Sequence, residues 1–411
     1  MTDAKTTETA ASRSFLGTLA FTVFLDLVGF GMILPLLPFY AERFGATAFE
    51  IGLLFAAYSL AQFALSPIWG RLSDRWGRRP LLLGSICGGF LAYLLFAAAW
   101  SLAALFVARL AAGAAAANYT IAQACVADTT QPHERAKAMG WLGAAFGMGF
   151  IFGPALGALS SRWGVVAVPL TAAALTALNF VLVWAKVPES LPRTRRAARE
   201  PAEGRSTRRY FGAGMLRDVG ENRSLRSLLA LYGVVIFGFS AMEATLALLC
   251  EERLAFGVRE TSWLFVFVGV VIATVQGGLI DRVVTRWGEG RVLLAGLLVM
   301  AAGLVLLAQV ESVARLLLAT GLLALGSGLF NPTSFSLLSR LAPSDAQGGV
   351  LGLARSCGAL ARVGGPIWGG WSFHHLGSIW PFLSAGSLLA VMAFVALRLL
   401  PRFWIQLEGA D

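Results

Sequence analysis

From Ser14 onward the chain alternates long apolar runs with short breaks of charge, glycine and proline. The runs fall near residues 14–39, 49–69, 81–100, 102–126, 137–160 and 165–186, then near 225–250, 261–280, 291–309, 313–339, 348–371 and 378–399. A helix rising about 1.5 Å per residue needs about 20 residues to cross a hydrocarbon layer of about 30 Å, so each run predicts one membrane-spanning helix. Between the two sets of six, residues 187–224 hold Pro188, Pro192, Pro201, acidic residues and a dense set of arginines, a composition that lipid cannot accept. The pattern predicts a tail at 1–13, a six-helix bundle at 14–186, a basic linker at 187–224, a second six-helix bundle at 225–399 and a tail at 400–411. The first run is too long for the apolar region of a signal peptide and is expected to remain as a span.

Composition agrees with an all-α membrane protein of twelve transmembrane helices in two pseudo-symmetric bundles. Of 411 residues, 57% are hydrophobic and 14% charged, too few charges to cover a soluble globule and too much apolar side chain for a disordered chain. The net charge of +10 would suggest nucleic acid if the basic residues shared one face, but they sort by loop. With the N-terminus inside, 25 Lys and Arg lie on the inner side and five on the outer side: Arg43, Arg162, Arg253, Arg259 and Arg315. That asymmetry predicts a multi-pass protein of the bacterial inner membrane with both termini cytoplasmic and no nucleic-acid partner. Cys87, Cys125, Cys250 and Cys357 stand singly in apolar runs and read as small core residues, and His133, His374 and His375 read as interfacial. No metal-ligand spacing, cofactor motif or catalytic constellation stands out, so neither an enzyme nor a bound cofactor is expected. A non-transporting sensor would be expected to carry an added soluble domain.

The two halves repeat. Near an offset of 212 residues, Gly140 returns as Gly352 and Gly153-Pro154 as Gly365-Pro366, while Asn118 returns as Asn331 one residue later. Asp74 and the run Arg75 to Gly77 return as Asp281 and Arg286 to Gly288. Parallel repeats of six spans are a feature of secondary transporters whose site lies between the halves. Polar residues inside the spans mark candidates for that site. Asp26 lies near the middle of the first span on a face with Thr18, Thr22 and Gly29, where a lipid-facing carboxylate would cost at least about 2.5 kcal/mol. Arg109 lies in the fourth span above a polar face of Thr120 and Gln123 and needs a partner, for which Asp26 and Glu243 of the seventh span are the candidates.

Two further motifs concern conformation. At the inner end of the second span, Gly70, Arg71, Asp74, Arg75, Gly77, Arg78, Arg79 and Pro80 form a basic turn facing the anionic leaflet. In the fifth span Gly140, Gly149, Gly153 and Gly157, with Pro154, repeat at the spacing of close helix packing, and Gly143 and Gly147 add a second ridge. Together these motifs resemble the major facilitator superfamily, and within it the drug/proton antiporters that include the tetracycline exporters, over essentially the whole chain. The turn Gly70 to Pro80 looks like the superfamily signature, the run Asp26 to Pro38 the exporters' first-span motif, Arg109 with Gly113 their fourth-span motif, and Gly140 to Gly157 the antiporter motif. Ala158 departs from that last motif, which usually ends in a second glycine, although Gly369-Gly370 keep the pair in the second half.

The resemblance implies that Asp74 and Asp281 belong to the conformational switch, Asp74 pairing with the eleventh span, and that Arg78 pairs with Asp128 to lock an outward-open state. It implies that Asp26 and Arg109 couple protons and that Glu243 faces the substrate cavity; Thr22, Tyr58, Gln62, Thr120, Gln123 and Asn331 are the further cavity candidates among the polar residues of the spans. The acids of spans three and nine and the histidine of span eight found in the tetracycline exporters are absent here. The expected function is export of drugs or other amphipathic small molecules by proton antiport, in a monomer. Glu243 would favour a cationic or zwitterionic ligand. A proton-coupled metabolite or sugar carrier on the same fold is the alternative.

Overall fold

The computed structural model describes residues 2–191, 222–342 and 347–408. Most of the predicted linker, 192–221, lies outside the described residues, as does the loop 343–346. Among the described residues the chain is helical, without a strand. The first half contains α1 (Thr2–Glu42), α2 (Ala48–Trp76), α3 (Arg78–Ala97), α4 (Leu102–Ala115), α5 (Asn118–Thr129), α6 (Pro132–Ser160) and α7 (Ala167–Lys186). The second contains α8 (Arg223–Leu254), α9 (Val258–Thr274), a π-helical turn (Val275–Leu279), α10 (Ile280–Trp287), α11 (Glu289–Leu307), α12 (Val313–Leu341), α13 (Gln347–Leu376) and α14 (Trp380–Glu408). The backbone of the predicted N-terminal tail continues α1, and α14 runs through most of the C-terminal one.

Eleven of the described helical stretches are long and apolar enough to cross a membrane. Two of them are composite: α4 and α5 share the span Leu102–Thr129, and α9 and α10 share Val258–Trp287. The twelfth predicted span is α13, which has the length at 30 residues but is diluted by glycines and by Arg355 and Arg362. The chain is thus a multi-pass, all-helical membrane protein.

It divides into two compact units: Met1–Gly45 with Leu60–Ala202 and Val258–Val266, and Ala46–Ser59 with Glu203–Gly257 and Phe267–Asp411. The units depart from a simple cut at the linker, because the first turns of α2 group with the second unit and the first turns of α9 with the first. Inside the first unit α1 packs on α6 and α7, and α3 on α4 and α7. Inside the second, α8 packs on α13 and α14, and α11 on α12 and α14, the same pattern shifted by one repeat. The most apolar stretches of α1 and α8 are 78% and 72% buried, against 11% for Val258–Trp287, so the first helix of each repeat forms the core of its unit.

Local chemistry repeats too. Ser101 caps α4 by accepting from the Ala104 amide, and Ser312 caps α12 by accepting from the Arg315 amide. Gly77 before α3 and Gly288 before α11 have φ of 108° and 79°, a region that side chains disfavour, so each turn needs its glycine. Of the cysteines, Cys125 and Cys250 are buried, whereas Cys87 is exposed and does not serve as core.

Candidate functional site

The fourth span is broken at its midpoint. Its two helices stop and restart across Ala116 and Ala117, which frees backbone groups at a depth where water is scarce. Side chains from α2 and α3 take up the freed carbonyls: Trp69 Nε1 donates to Ala114 O at 2.6 Å, Gln62 Nε2 to Ala116 O at 3.4 Å, and the Ser85 hydroxyl to Ala115 O. Ser85 Oγ also accepts from the Ala117 amide at 3.2 Å, closing the break from both sides.

Asn118, the first residue after the break, points its amide at α1. Its Nδ2 donates to Asp26 Oδ1 at 2.6 Å, a short bond of the kind charge assistance gives. Asn118 is 3% exposed, and its own Oδ1 is buried with no hydrogen-bond partner. A half-buried carboxylate and a buried carboxamide at mid-span therefore form a polar pair, with the Asn118 acceptor to spare. Arg109 sits in α4 two turns before the break, 3% exposed, and is itself engaged by neighbouring groups. The sequence marked Asn118 only as a counterpart of Asn331. Its position in the middle of an apolar span was the available signal.

Several expected cavity residues are otherwise occupied. Thr22 is fully buried, its hydroxyl donating to Thr18 O and its carbonyl accepting from Asn179 Nδ2, so it offers a ligand no surface. That corrects the expectation: Thr22 is covered beside Asn179 of α7 and its hydroxyl is spent on its own helix, whereas Asp26 one turn on meets Asn118 of α5. Gln62 supports the helix break as described. Thr120 is exposed, while Tyr58, Gln123, Glu243 and Asn331 are partly buried. Asn331 Nδ2 donates to Ser327 Oγ at 3.1 Å.

At the Gly77 end of the first unit, Arg78 organises a dense cluster. It meets Asp74 at 2.6 Å, Asp128 at 2.9 Å and the Ser73 hydroxyl at 2.6 Å, with only 6% of its side chain exposed. Glu189, which the sequence did not single out, accepts from the Arg78 and Arg79 backbone amides and so caps α3. Arg79 reaches Trp184 O at 2.6 Å, while Arg75 is exposed. The second unit keeps the geometry and reverses the charges. Glu289 opens α11 where Arg78 opens α3, and it meets Arg340 of α12 at 3.7 Å and the Ser336 hydroxyl at 2.6 Å. Asp281, the counterpart of Asp74, is exposed and has no ion pair among the described residues.

The glycine motif divides in two. A Cβ at Gly153 would lie 2.7 Å from Val28 O and 2.9 Å from Gly31 Cα, and one at Gly149 would strike Leu27 Cβ. Gly157 lies against Met32, and Pro154 against Gly31. Gly365 and Gly369 likewise seat α13 on Phe237, Ser240 and Ala241 of α8, with Pro366 beside them. Gly140, Gly143 and Gly147, in contrast, have nothing within 4 Å of an added Cβ. The close approach expected of Gly140 is therefore absent, because Gly140 lies roughly 180° around α6 from Gly149 and is exposed, while Ala138, Leu142 and Ala145 of the same turns are buried in a core shared with Leu19 and Val23 of α1.

This arrangement can be set against known proteins. A family model described as Major Facilitator Superfamily matches residues 19–285 and 279–403. The chain belongs to the major facilitator superfamily. Among its relatives, the class B tetracycline resistance protein of Escherichia coli is 30% identical over 368 residues, covering 87% of this chain and 88% of the relative. The crystal structure of the human organic anion transporter MFSD10 (TETRAN) matches at 27% identity and a TM-score of 0.68, over 94% of this chain and 99% of that one. The nucleoside transporter NupG matches at a TM-score of 0.75 and 14% identity, over 94% and 99%, a likeness of fold alone. This major facilitator is a membrane transporter, the class in which small-molecule substrates are moved across a bilayer.

Proposed function

We propose that the protein is a proton-coupled exporter of amphipathic small molecules, working by alternating access between the two six-span halves, 14–186 and 225–399, as a monomer in the bacterial inner membrane. Both termini lie in the cytoplasm in this reading. The observation that carries it is the Asp26–Asn118 pair at the mid-span helix break. An ionisable group held at that depth is costly, which marks it as a candidate for an ion or proton path, and a carboxamide suits both protonation states. Its Nδ2 donates to the carboxylate, and its unpartnered Oδ1 is available to accept from the carboxylic acid. Asp26 takes the proton from outside and releases it to the cytoplasm, with Arg109 stabilising the ionised form. The Arg78, Asp74 and Asp128 cluster acts as the latch between conformations, and the likeness to the tetracycline resistance proteins supports export.

One proton crossing 100 mV and one pH unit releases roughly 3.7 kcal/mol, which supports a gradient of several hundredfold for a neutral substrate. The test is proton flux from inside-acid vesicles carrying the purified protein, with lipophilic cations, zwitterions, organic anions and sugars added in turn. A substrate that dissipates the pH gradient with wild type and not with Asp26→Asn supports antiport through Asp26. Equal dissipation by both proteins removes Asp26 from the path, and a response to sugars alone moves the substrate class to metabolites.

A further inference from the structure

Arg355 and Arg362 are the intramembrane cations that the proton path leaves unused. They stand seven residues apart on α13, hence on one stripe, roughly 20° apart around the helix and about 10 Å apart along it. Both are exposed, and Arg362 has neither a carboxylate partner nor a hydrogen bond among the described residues. The stripe does not share the helix's apolar surface. Exposed Leu360, Trp368 and Trp371 lie on the far side, between roughly 140° and 220° around from Arg355. Pro366, only roughly 20° from Arg355, faces Gly52 of α2, whose added Cβ would strike the Pro366 carbonyl. The arginines therefore look along the protein-facing side of α13, where a charge escapes the cost of contact with lipid.

Beside them stands an aromatic wall. Tyr232 of α8 is 4% exposed and rests on Gly358, between the two arginines, where an added Cβ would lie 3.4 Å from its hydroxyl. Phe335 of α12 stacks edge-on against the Tyr232 ring at 5.2 Å. Both guanidinium groups are near enough to act electrostatically on that hydroxyl. Well inside the spans of this unit, Glu243 is the acid set against the two arginines, so the local balance is positive.

We propose that Arg355, Arg362 and Tyr232 form an anion-recognition site that takes the carboxylate or sulfonate of an aromatic organic anion. Guanidinium groups bind such planar anions through paired hydrogen bonds, and the half-buried Phe335 ring, backed by the buried Tyr232, is the face offered to the aromatic body. That the bound anion is cargo rests on the transport reading above; that the site binds it does not.

The experiment uses fluorescein and a cationic rhodamine, which share one ring frame and differ in charge, with binding to the purified full-length protein read by fluorescence anisotropy. Fluorescein is expected to bind wild type, with Kd raised about tenfold or more in Arg355→Gln and in Arg362→Gln. The double variant Arg355→Lys with Arg362→Lys, which keeps the charge, recovers part of that loss, and an unchanged thermal melt shows that each variant is folded. Fluorescein failing to bind wild type, or binding Arg362→Gln as tightly, overturns the site. Displacement of fluorescein by phosphatidylglycerol alone, with no competition from benzenesulfonate, assigns the arginines to a lipid headgroup and also overturns it. Asp26→Asn separates the two readings. Retained fluorescein binding without proton flux supports both, whereas retained binding with unchanged flux leaves the site standing and removes the antiport reading.

Discussion

Two glycines of one motif should respond to the same substitution with opposite sign. Gly153→Ala places a methyl 2.7 Å from the Val28 carbonyl and 2.9 Å from Gly31 Cα, where ordinary contact is about 3.5 Å. Backbone atoms cannot rotate away, so α1 and α6 must part by roughly 0.8 Å at their crossing, an overpacking that costs about 1–3 kcal/mol. Gly140→Ala places its methyl in open space. Alanine is favoured over glycine inside a helix by about 1 kcal/mol, and both variants receive that gain, so the difference between them isolates the overlap. Gly140→Ala should melt at or above wild type and Gly153→Ala below it, with about 1–3 kcal/mol separating the two. The assay is thermal or denaturant unfolding of the detergent-solubilised protein followed by tryptophan fluorescence. Equal stability of the two variants would refute the reading that α1 and α6 meet backbone to backbone at Gly153.

The other predictions concern the polar centres. Asn118→Leu removes the donor to Asp26 and should lower substrate-driven proton flux at least tenfold, taking about 1.5–3 kcal/mol for a hydrogen bond to a charged group; flux at the wild-type rate removes Asn118 from the site. Arg78→Glu strands Asp74 and Asp128 and should cost about 3–5 kcal/mol, while adding Asp128→Arg recreates the polarity of the Glu289–Arg340 pair and recovers part of it; a double variant no better than the single denies the charge-reversed equivalence. If an organic monoanion leaves against one proton, two charges move per cycle, so 100 mV and one pH unit supply about 6 kcal/mol, and an imposed inside-negative potential should accelerate benzenesulfonate efflux from proteoliposomes; potential-independent efflux excludes that stoichiometry.

The fold was legible because a membrane simplifies the problem. Lipid offers no hydrogen bonds, so every spanning segment must satisfy its own backbone, and helix count and length follow from local hydropathy. The two halves showed as an offset near 212 residues, and the structure displays the same repeat as matching helix contacts. α13 was read as an apolar run near 348–371 despite its two arginines, and Gly352, Gly365 and Pro366 of the repeat fall within it, although its hydropathy falls below that of the other spans. The turn glycines Gly77 and Gly288 were legible for a related reason, since a positive φ is a property of one residue.

The partners of the polar residues followed a different logic. Asp26 and Asn118 stand 92 residues apart, and their meeting depends on where the fourth span breaks, which in turn depends on Trp69, Gln62 and Ser85 catching the freed carbonyls. Thr22 looked like a cavity residue because it shares a face with Asp26, yet packing buries it fully beside Asn179 with its hydroxyl bonded to the Thr18 carbonyl. Gly149, Gly153 and Gly157 and the ridge of Gly143 and Gly147 satisfy one spacing rule equally well but lie on different faces of α6, and the rotation of α6 about its axis turns the first toward α1. The amino-acid order thus determined which segments cross the membrane, how many there are and that they repeat, because each of those rests on short-range hydropathy and backbone chemistry. The packed chain settled which side chains meet, because the rotation and tilt of each helix are set by neighbours far away in sequence.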